Sequence, residues 1–261
     1  MQLQMQTWAE VERYLETSSV IIMPIGSTEQ HGPNGLIGTD AVTSEAIARA
    51  VGAATDTMVA PTIAVGMAQH HMAFSGSMTL RPATMIAMIG DYVNSLAHHG
   101  FDKFFFINGH GGNSATVEAA FQEIYTAHIM PGGSNEPSVR CYLRNWWQGP
   151  KMGPLAKDLY GDKDGMHATI SEVAVTQYLF PEDIKSGPGI DDMGPPEPLR
   201  ERWSDGNDYR AKFPDGRIGS HPYLATPEAG KQIFDLAVSE ITEEVAAYAK
   251  LVVAAEPEHA G

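Results

Sequence analysis

The chain has 261 residues, and 17 Lys and Arg stand against 32 Asp and Glu for a formal charge of −15, an excess that opposes binding to nucleic acid or to an anionic membrane surface. Its length suits one α/β domain over residues 1–261, and its hydrophobic content of 43 % suffices for a sizeable core. A single cysteine, Cys141, excludes an intrachain disulfide; with no apolar run near the ~20 residues of a membrane span and no signal-like start, the expected setting is the cytoplasm.

Val20-Ile21-Ile22-Met23-Pro24-Ile25 is apolar without alternation and rich in β-branched residues. That pattern predicts a strand buried on both faces, as in a parallel sheet. Thr39 to Val51 predicts a helix, with Thr39 as N-cap and Gly52 as terminator. Met58 to Ile63 predicts a second strand. Pro82 to His99 predicts a second helix: Pro82 fits the first turn, Ile86, Ile89, Val93 and Leu96 make an apolar stripe, and Gly100 ends it. Its terminal His98 and His99 read as surface residues that complement the helix dipole.

Lys103 to Ile107 predicts a third strand, Ser114 caps a helix to about Ala127, and Val139 to Leu143 predicts a fourth strand with Cys141 as a buried thiol. Glu172 to Phe180 reads as helical. Pro181 to Pro222, rich in Gly, Pro and Asp, reads as a long ordered excursion. Thr226-Pro227-Glu228 opens a last helix toward Ala255, with a loose tail expected after Glu256. Strands and helices alternate, which predicts an α/β layered fold with a mainly parallel sheet. In such sheets ligands bind beyond the carboxyl ends of the strands.

Two motifs follow directly on predicted strands. In Gly26-Ser27-Thr28-Glu29-Gln30-His31-Gly32, Glu29 and His31 are two residues apart, so in extended backbone they face one point while Gln30 faces away. Asp40 joins them if the intervening Gly-rich stretch folds back, and Asn108-Gly109-His110-Gly111-Gly112-Asn113 adds a second Gly-flanked histidine. Glu29, His31, Asp40 and His110 are therefore candidate metal ligands. Their oxygen and nitrogen donors suit zinc, manganese or iron. The glycines around His110 also allow a phosphate cradle at a helix start, although neither common phosphate-loop spacing is present.

A third cluster holds Asp164, His167 and Glu172. Glu172 is a candidate fifth ligand and catalytic carboxylate, against the alternative of a first-turn acid favoured by the helix dipole. His167 is a candidate general acid and base, against the alternative of a loop histidine. His70, His71, Trp146, Trp147 and Asn113 are candidate substrate-binding residues. Core packing is the rival reading for the two tryptophans.

The motifs GSTEQHGP (26–33), GTD (38–40), NGHGGN (108–113) and His167-Ala168 with Ser171-Glu172 resemble the creatininase (creatinine amidohydrolase) family, over about residues 8–250. The resemblance implies a three-layer α/β/α fold with a parallel-sheet core, two divalent metal ions (zinc or manganese) and a homo-oligomer, often a hexamer. It implies that Glu29 and His110 hold one metal and His31 the other, with Asp40 bridging them. A bridging hydroxide would attack an amide carbonyl, and His167 would pass a proton to the leaving nitrogen. Creatininase itself has a metal-binding Glu where this chain has Gly112, so Glu172 is expected to supply that carboxylate. Many relatives also have His where Asn34 stands and Gly where Thr169 stands.

The expected function is hydrolysis of a C–N bond in a small cyclic or linear amide. The alternatives are the family's deformylase and peptidase activities, and a ligand-binding member that has lost turnover.

Overall fold

A computed structural model of the protein describes residues 1–129 and 138–251. Among them, β1 (Val20–Ile25), β2 (Met58–Val59), β3 (Lys103–Asn108) and β4 (Arg140–Asn145) form a four-stranded sheet in the order β2-β1-β3-β4. All its pairings are parallel: Ile21 lies opposite Met58, Val20 to Ile25 opposite Lys103 to Asn108, and these in turn opposite Arg140 to Asn145.

Alternate side chains leave opposite faces of a strand, and this divides the core in two. Ile21, Met23, Ile25, Phe104 and Phe106 pack against α1 (Trp8–Leu15), α3 (Pro82–His98) and α4 (Ser114–Ile129). Val20, Ile22, Phe105 and Ile107 pack against α2 (Thr39–Thr55), α5 (Met152–Tyr160), α6 (Ile170–Leu179) and α8 (Pro227–Tyr248). The fold is thus the expected three-layer α/β/α arrangement. The excursion from 181 to 222 carries one further short α-helix, α7 (Gly206–Lys212).

Several boundaries differ from the expectations. The predicted strand 58–63 shortens to Met58–Val59, with an isolated bridge from Ile63 to Ile25. Pro61 lies between them and has no N–H to donate to a ladder. Helix α2 is preceded by Gly38, not capped by Thr39, whose hydroxyl instead donates to the Leu36 carbonyl at 2.6 Å. It runs through Gly52 and ends at Asp56 in a left-handed conformation with φ of 56°. Ser114 is the first residue of α4 rather than its cap.

Helix α6 begins two residues earlier than expected because Thr169 and Glu172 cap it reciprocally. The Thr169 hydroxyl accepts from Glu172 N at 3.2 Å, and Glu172 Oε1 accepts from Thr169 N at 2.5 Å. Thr226 caps α8 as expected, but the helix ends at Tyr248 instead of reaching toward Ala255. The tail after Glu256 lies outside the described residues. Helices α1, α5 and α7 were not anticipated; the Thr7-x-x-Glu10 capping box of α1 was a readable signal. No helix among the described residues is long and apolar enough to cross a membrane.

Candidate metal centre

The carboxyl ends of β1 and β3 deliver the two motifs to one edge of the sheet. Gly26 and Gly109 both lie so close to the backbone of Asp40 that neither position has room for a Cβ. This approach brings the first turn of α2 between the two strand ends. Glu29, His31 and Asp40 are 0 %, 1 % and 2 % exposed, and His110 is 6 % exposed.

The two oxygens of Asp40 serve two different neighbours. Oδ1 is 2.9 Å from His31 Nε2, and Oδ2 is 3.1 Å from His110 Nδ1. Glu29 Oε1 is also 3.1 Å from His110 Nδ1, and Glu172 Oε1 is 3.9 Å from His31 Nε2. Glu29 Oε2 accepts from Ser27 Oγ at 2.8 Å.

The tautomers of both histidines follow from their outer contacts. A carbonyl only accepts, so His31 Nδ1 donates to Glu29 O at 3.1 Å and His110 Nε2 donates to Met67 O at 3.1 Å. In the neutral rings the remaining lone pairs therefore aim at carboxylate oxygens. Glu29 Oε1 and Asp40 Oδ2 are buried with no aligned hydrogen-bond donor. Lone pairs converging on anionic oxygens are relieved by a proton on the rings or by a metal cation held between the groups. The outer carbonyl contacts are those by which proteins orient metal-binding imidazoles. Ligand atoms of His31, Asp40 and Glu172 lie within 4.8 Å of one another, as do those of Glu29, His70 and His110, and of Glu29, His31 and His167. An oxygen and nitrogen donor set of this kind fits zinc or manganese.

Electrostatics express the same demand. Burial opposes the His31 imidazolium, but Asp40, Glu172 and Glu29 outweigh it and raise the group to about 10. His110 is likewise raised well above its ordinary value: burial opposes this, and Glu29 and Asp40 prevail. Burial pushes Glu29 up, yet His110 and His71 hold it well below the usual carboxylate range. Glu172 is pushed up to about 7 by burial, with His31 opposing and Asp40 reinforcing. His167 moves the other way. Burial, then His71 and His31, push it well below its ordinary value, so it is neutral at pH 7. His70 falls to about 3, chiefly through burial and then His71.

The centre opens into a cleft of about 910 Å³ lined in part by His70, His71, Trp146, Trp147, Arg202, Trp203 and Tyr209. Trp146 is 2 % exposed and belongs mainly to the core, while Trp147 is partly exposed on the cleft wall. His70 stacks on Trp203, with ring centroids 5.4 Å apart. His71 is buried, with Nε2 3.2 Å from Glu29 Oε1.

Asn113 departs from its expected place in the pocket wall. It is fully buried: Nδ2 donates to Gly26 O at 2.9 Å and to Asn108 Oδ1 at 3.1 Å, and Oδ1 accepts from Met67 N at 2.9 Å. Its side chain ties the two strand ends together and, fully buried, does not line the cleft. Cys141 is only partly buried, although desolvation pushes its thiol up to about 12. His98 and His99 are exposed, as expected.

Glu172 is the first-turn acid of α6, its Oε1 accepting from Thr169 N, and the same oxygen lies 3.9 Å from His31 Nε2. A side chain at position 112 would run into the His110 ring and Met67 O. Trp203, Arg202, Tyr209 and the contacts of Gln30 were not anticipated. They arise where the excursion meets the site, and no local pattern in 181–222 announces them.

A family profile described as creatinine amidohydrolase matches residues 4–245. The chain is 35 % identical over 224 residues to the mycofactocin precursor peptide peptidase of Mycolicibacterium smegmatis, covering 82 % of this chain and 79 % of that protein. It is 24 % identical over 190 residues to the creatinine amidohydrolase of Pseudomonas putida, covering 67 % and 70 %. Its fold matches a manganese creatininase structure with a TM-score of 0.80 at 22 % identity, over 96 % of this chain and 99 % of the other.

Proposed function

The chain belongs to the creatininase family of hydrolases, and from that premise we propose that it is a metal-dependent amidohydrolase that cleaves a C–N amide bond. The observation that carries this reading is the division of Asp40, one oxygen on His31 at 2.9 Å and the other on His110 at 3.1 Å. Glu29 and His110 would hold one divalent ion and His31 and Glu172 the other, with Asp40 shared. When bound, such a pair supplies Lewis acidity and acidifies a water. Glu172 takes the place of the carboxylate for which position 112 has no room.

His167 is the proton carrier in this reading. Its Nε2 donates to Gln30 O at 2.9 Å, which leaves Nδ1 bare, 4.0 Å from Glu29 Oε1. A neutral imidazole held this way accepts a proton from the attacking water and returns it to the leaving nitrogen. Trp147, Trp203, His70 and Arg202 bind and orient the substrate.

A cleft of about 910 Å³ suits an extended amide, such as the end of a peptide, better than a compact ring. The greater identity to the peptide peptidase than to the creatinine amidohydrolase supports the same substrate class. The reading includes a homo-oligomer, supported by the exposed apolar side chains of Met5 and Trp8 and tested by light scattering.

The test is elemental analysis of untagged protein, followed by a panel of peptide, formyl and cyclic amides that includes creatinine. About two equivalents of zinc or manganese per chain, with turnover of a peptide amide, is the expected result. A chain that takes up no metal when it is supplied overturns the reading, and turnover of creatinine alone overturns the substrate class.

A further inference from the structure

We infer that Gln30, the residue between the two motif ligands, is a positioning residue that sets the tautomers of His71 and His167 and joins the 206–219 segment to the metal centre. The inference extends the hydrolase reading, but it stands on hydrogen bonds that can be observed without turnover.

Gln30 is 8 % exposed, and its carboxamide lies between the rings of His71 and His167. Its amide orientation is determined from outside. Oε1 accepts from Gly32 N at 2.8 Å, so the opposite atom is Nε2, which donates to Gly216 O at 3.1 Å. One N–H remains, and two ring nitrogens lie 2.9 Å away, His71 Nδ1 and His167 Nε2. His167 Nε2 is also 2.9 Å from the main-chain oxygen of Gln30, which only accepts. His167 Nε2 must therefore carry a proton, and the second amide hydrogen goes to His71 Nδ1.

The assignment propagates. With Nδ1 accepting, His71 carries its proton on Nε2, which faces Glu29 Oε1 at 3.2 Å. Protonated there, Nε2 is not available as a metal ligand, and its approach to Glu29 Oε1 is a close polar contact and not an aligned hydrogen bond. With Nε2 protonated, His167 presents a bare Nδ1 to the centre. The side chain of Gln30 sets one tautomer and its main chain sets the other.

The same carboxamide reaches into the excursion. Gly216 O accepts both from Gln30 and from Tyr209 Oη, the latter at 2.8 Å. Gly216 has a φ of +86°, and a Cβ there would collide with the Gln30 amide, so this contact needs a bare backbone. Tyr209 is fully buried and packs edge-on against His71, with ring centroids 4.7 Å apart.

The experiment is 15N NMR of zinc-loaded protein with labelled histidine, in wild type and in Gln30→Glu. In wild type, His71 should show a bare Nδ1 and a protonated, metal-free Nε2, and His167 a protonated Nε2. The isosteric Gln30→Glu removes the donor, so His71 Nδ1 should gain a proton while His167 keeps its pattern. Gln30→Met, which offers neither donor nor acceptor, should likewise release His71 from the Nδ1-bare pattern in the same spectra.

A His71 protonated on Nδ1 in wild type, or coordinated to zinc through Nε2, overturns the inference, and this arm decides even if the variants do not fold. Lower thermal stability with the His71 pattern unchanged in both variants also overturns it, because that is the signature of a purely structural glutamine. Failure to hydrolyse any amide, with the His71 pattern as stated, would remove the hydrolase reading and leave this inference standing.

Discussion

The carboxyl ends of β1 and β3 and the excursion from 181 to 222 both face the cleft, and they are held there by different means. The strand ends continue a six-residue parallel ladder, with buried apolar side chains on both faces of the sheet. The excursion has a small core of Tyr209, Phe213 and Ile218 and depends on polar staples. Chief among them is Arg217, 1 % exposed, which donates to Asp215 Oδ2 at 2.7 Å, Met193 O at 3.0 Å and Ser220 O at 3.3 Å. The comparison shows a division of labour. The candidate ligands Glu29, His31 and His110 follow directly on strand ends that the buried ladder fixes, whereas the part of the cleft wall from the excursion is held by a few polar contacts to the rest of the fold.

The largest expected effect lies at the strand ends. Asp40→Ala removes both oxygens shared by the two histidines, so both metals and all activity should go together; one metal retained at full occupancy by elemental analysis would refute the shared role. Next is His167→Ala. It should keep the metals and lower the rate by about two to four orders of magnitude, the span of general acid–base catalysis. Loss of metal in this variant would move His167 into the ligand set.

Arg217→Met probes the other region. It keeps the aliphatic stem and strands the carbonyls of Met193 and Ser220, at a cost of about 1–3 kcal/mol. Limited proteolysis should then cut within 181–222 while the metal content holds, and a parallel loss of metal would show that the two regions are not independent. The smallest effect is on the sheet itself. With the Cys141 thiol pushed up to about 12 by desolvation, the reactive thiolate is scarce at pH 8 and grows about tenfold with each pH unit below that value. Alkylation of the native protein should be slow at pH 8 and should speed up with pH by that factor; labelling at pH 8 as fast as in urea would show the thiol is not shielded.

The strand ends were readable because each motif follows an uninterrupted apolar run, and that alone places both on one edge of a parallel sheet. Asn113 shows the limit of such reading. Its Gly-rich surroundings are equally compatible with a pocket wall and with a buried hub, and the partner that decides, Gly26 O, lies 87 positions away. Likewise the 58–63 strand looked continuous until Pro61 met the ladder requirement. Tyr209 and Trp203 were invisible as site residues because nothing in a Gly-, Pro- and Asp-rich stretch says where it docks.

The layered α/β architecture is legible in the chain before folding, since buried strands and amphipathic helices announce their partners through periodicity. So is the identity of Glu29, His31, Asp40, His110 and Glu172 as a candidate donor set, because donor chemistry is a property of residue type. Which oxygen of Asp40 meets which histidine, the approach of Glu172 to His31, and the contacts of Gln30 with His71 and His167 emerge only in the packed fold. Those outcomes depend on hydrogen-bond directions between segments as far apart as Gln30 and Gly216, and direction between distant segments is not encoded in any local pattern.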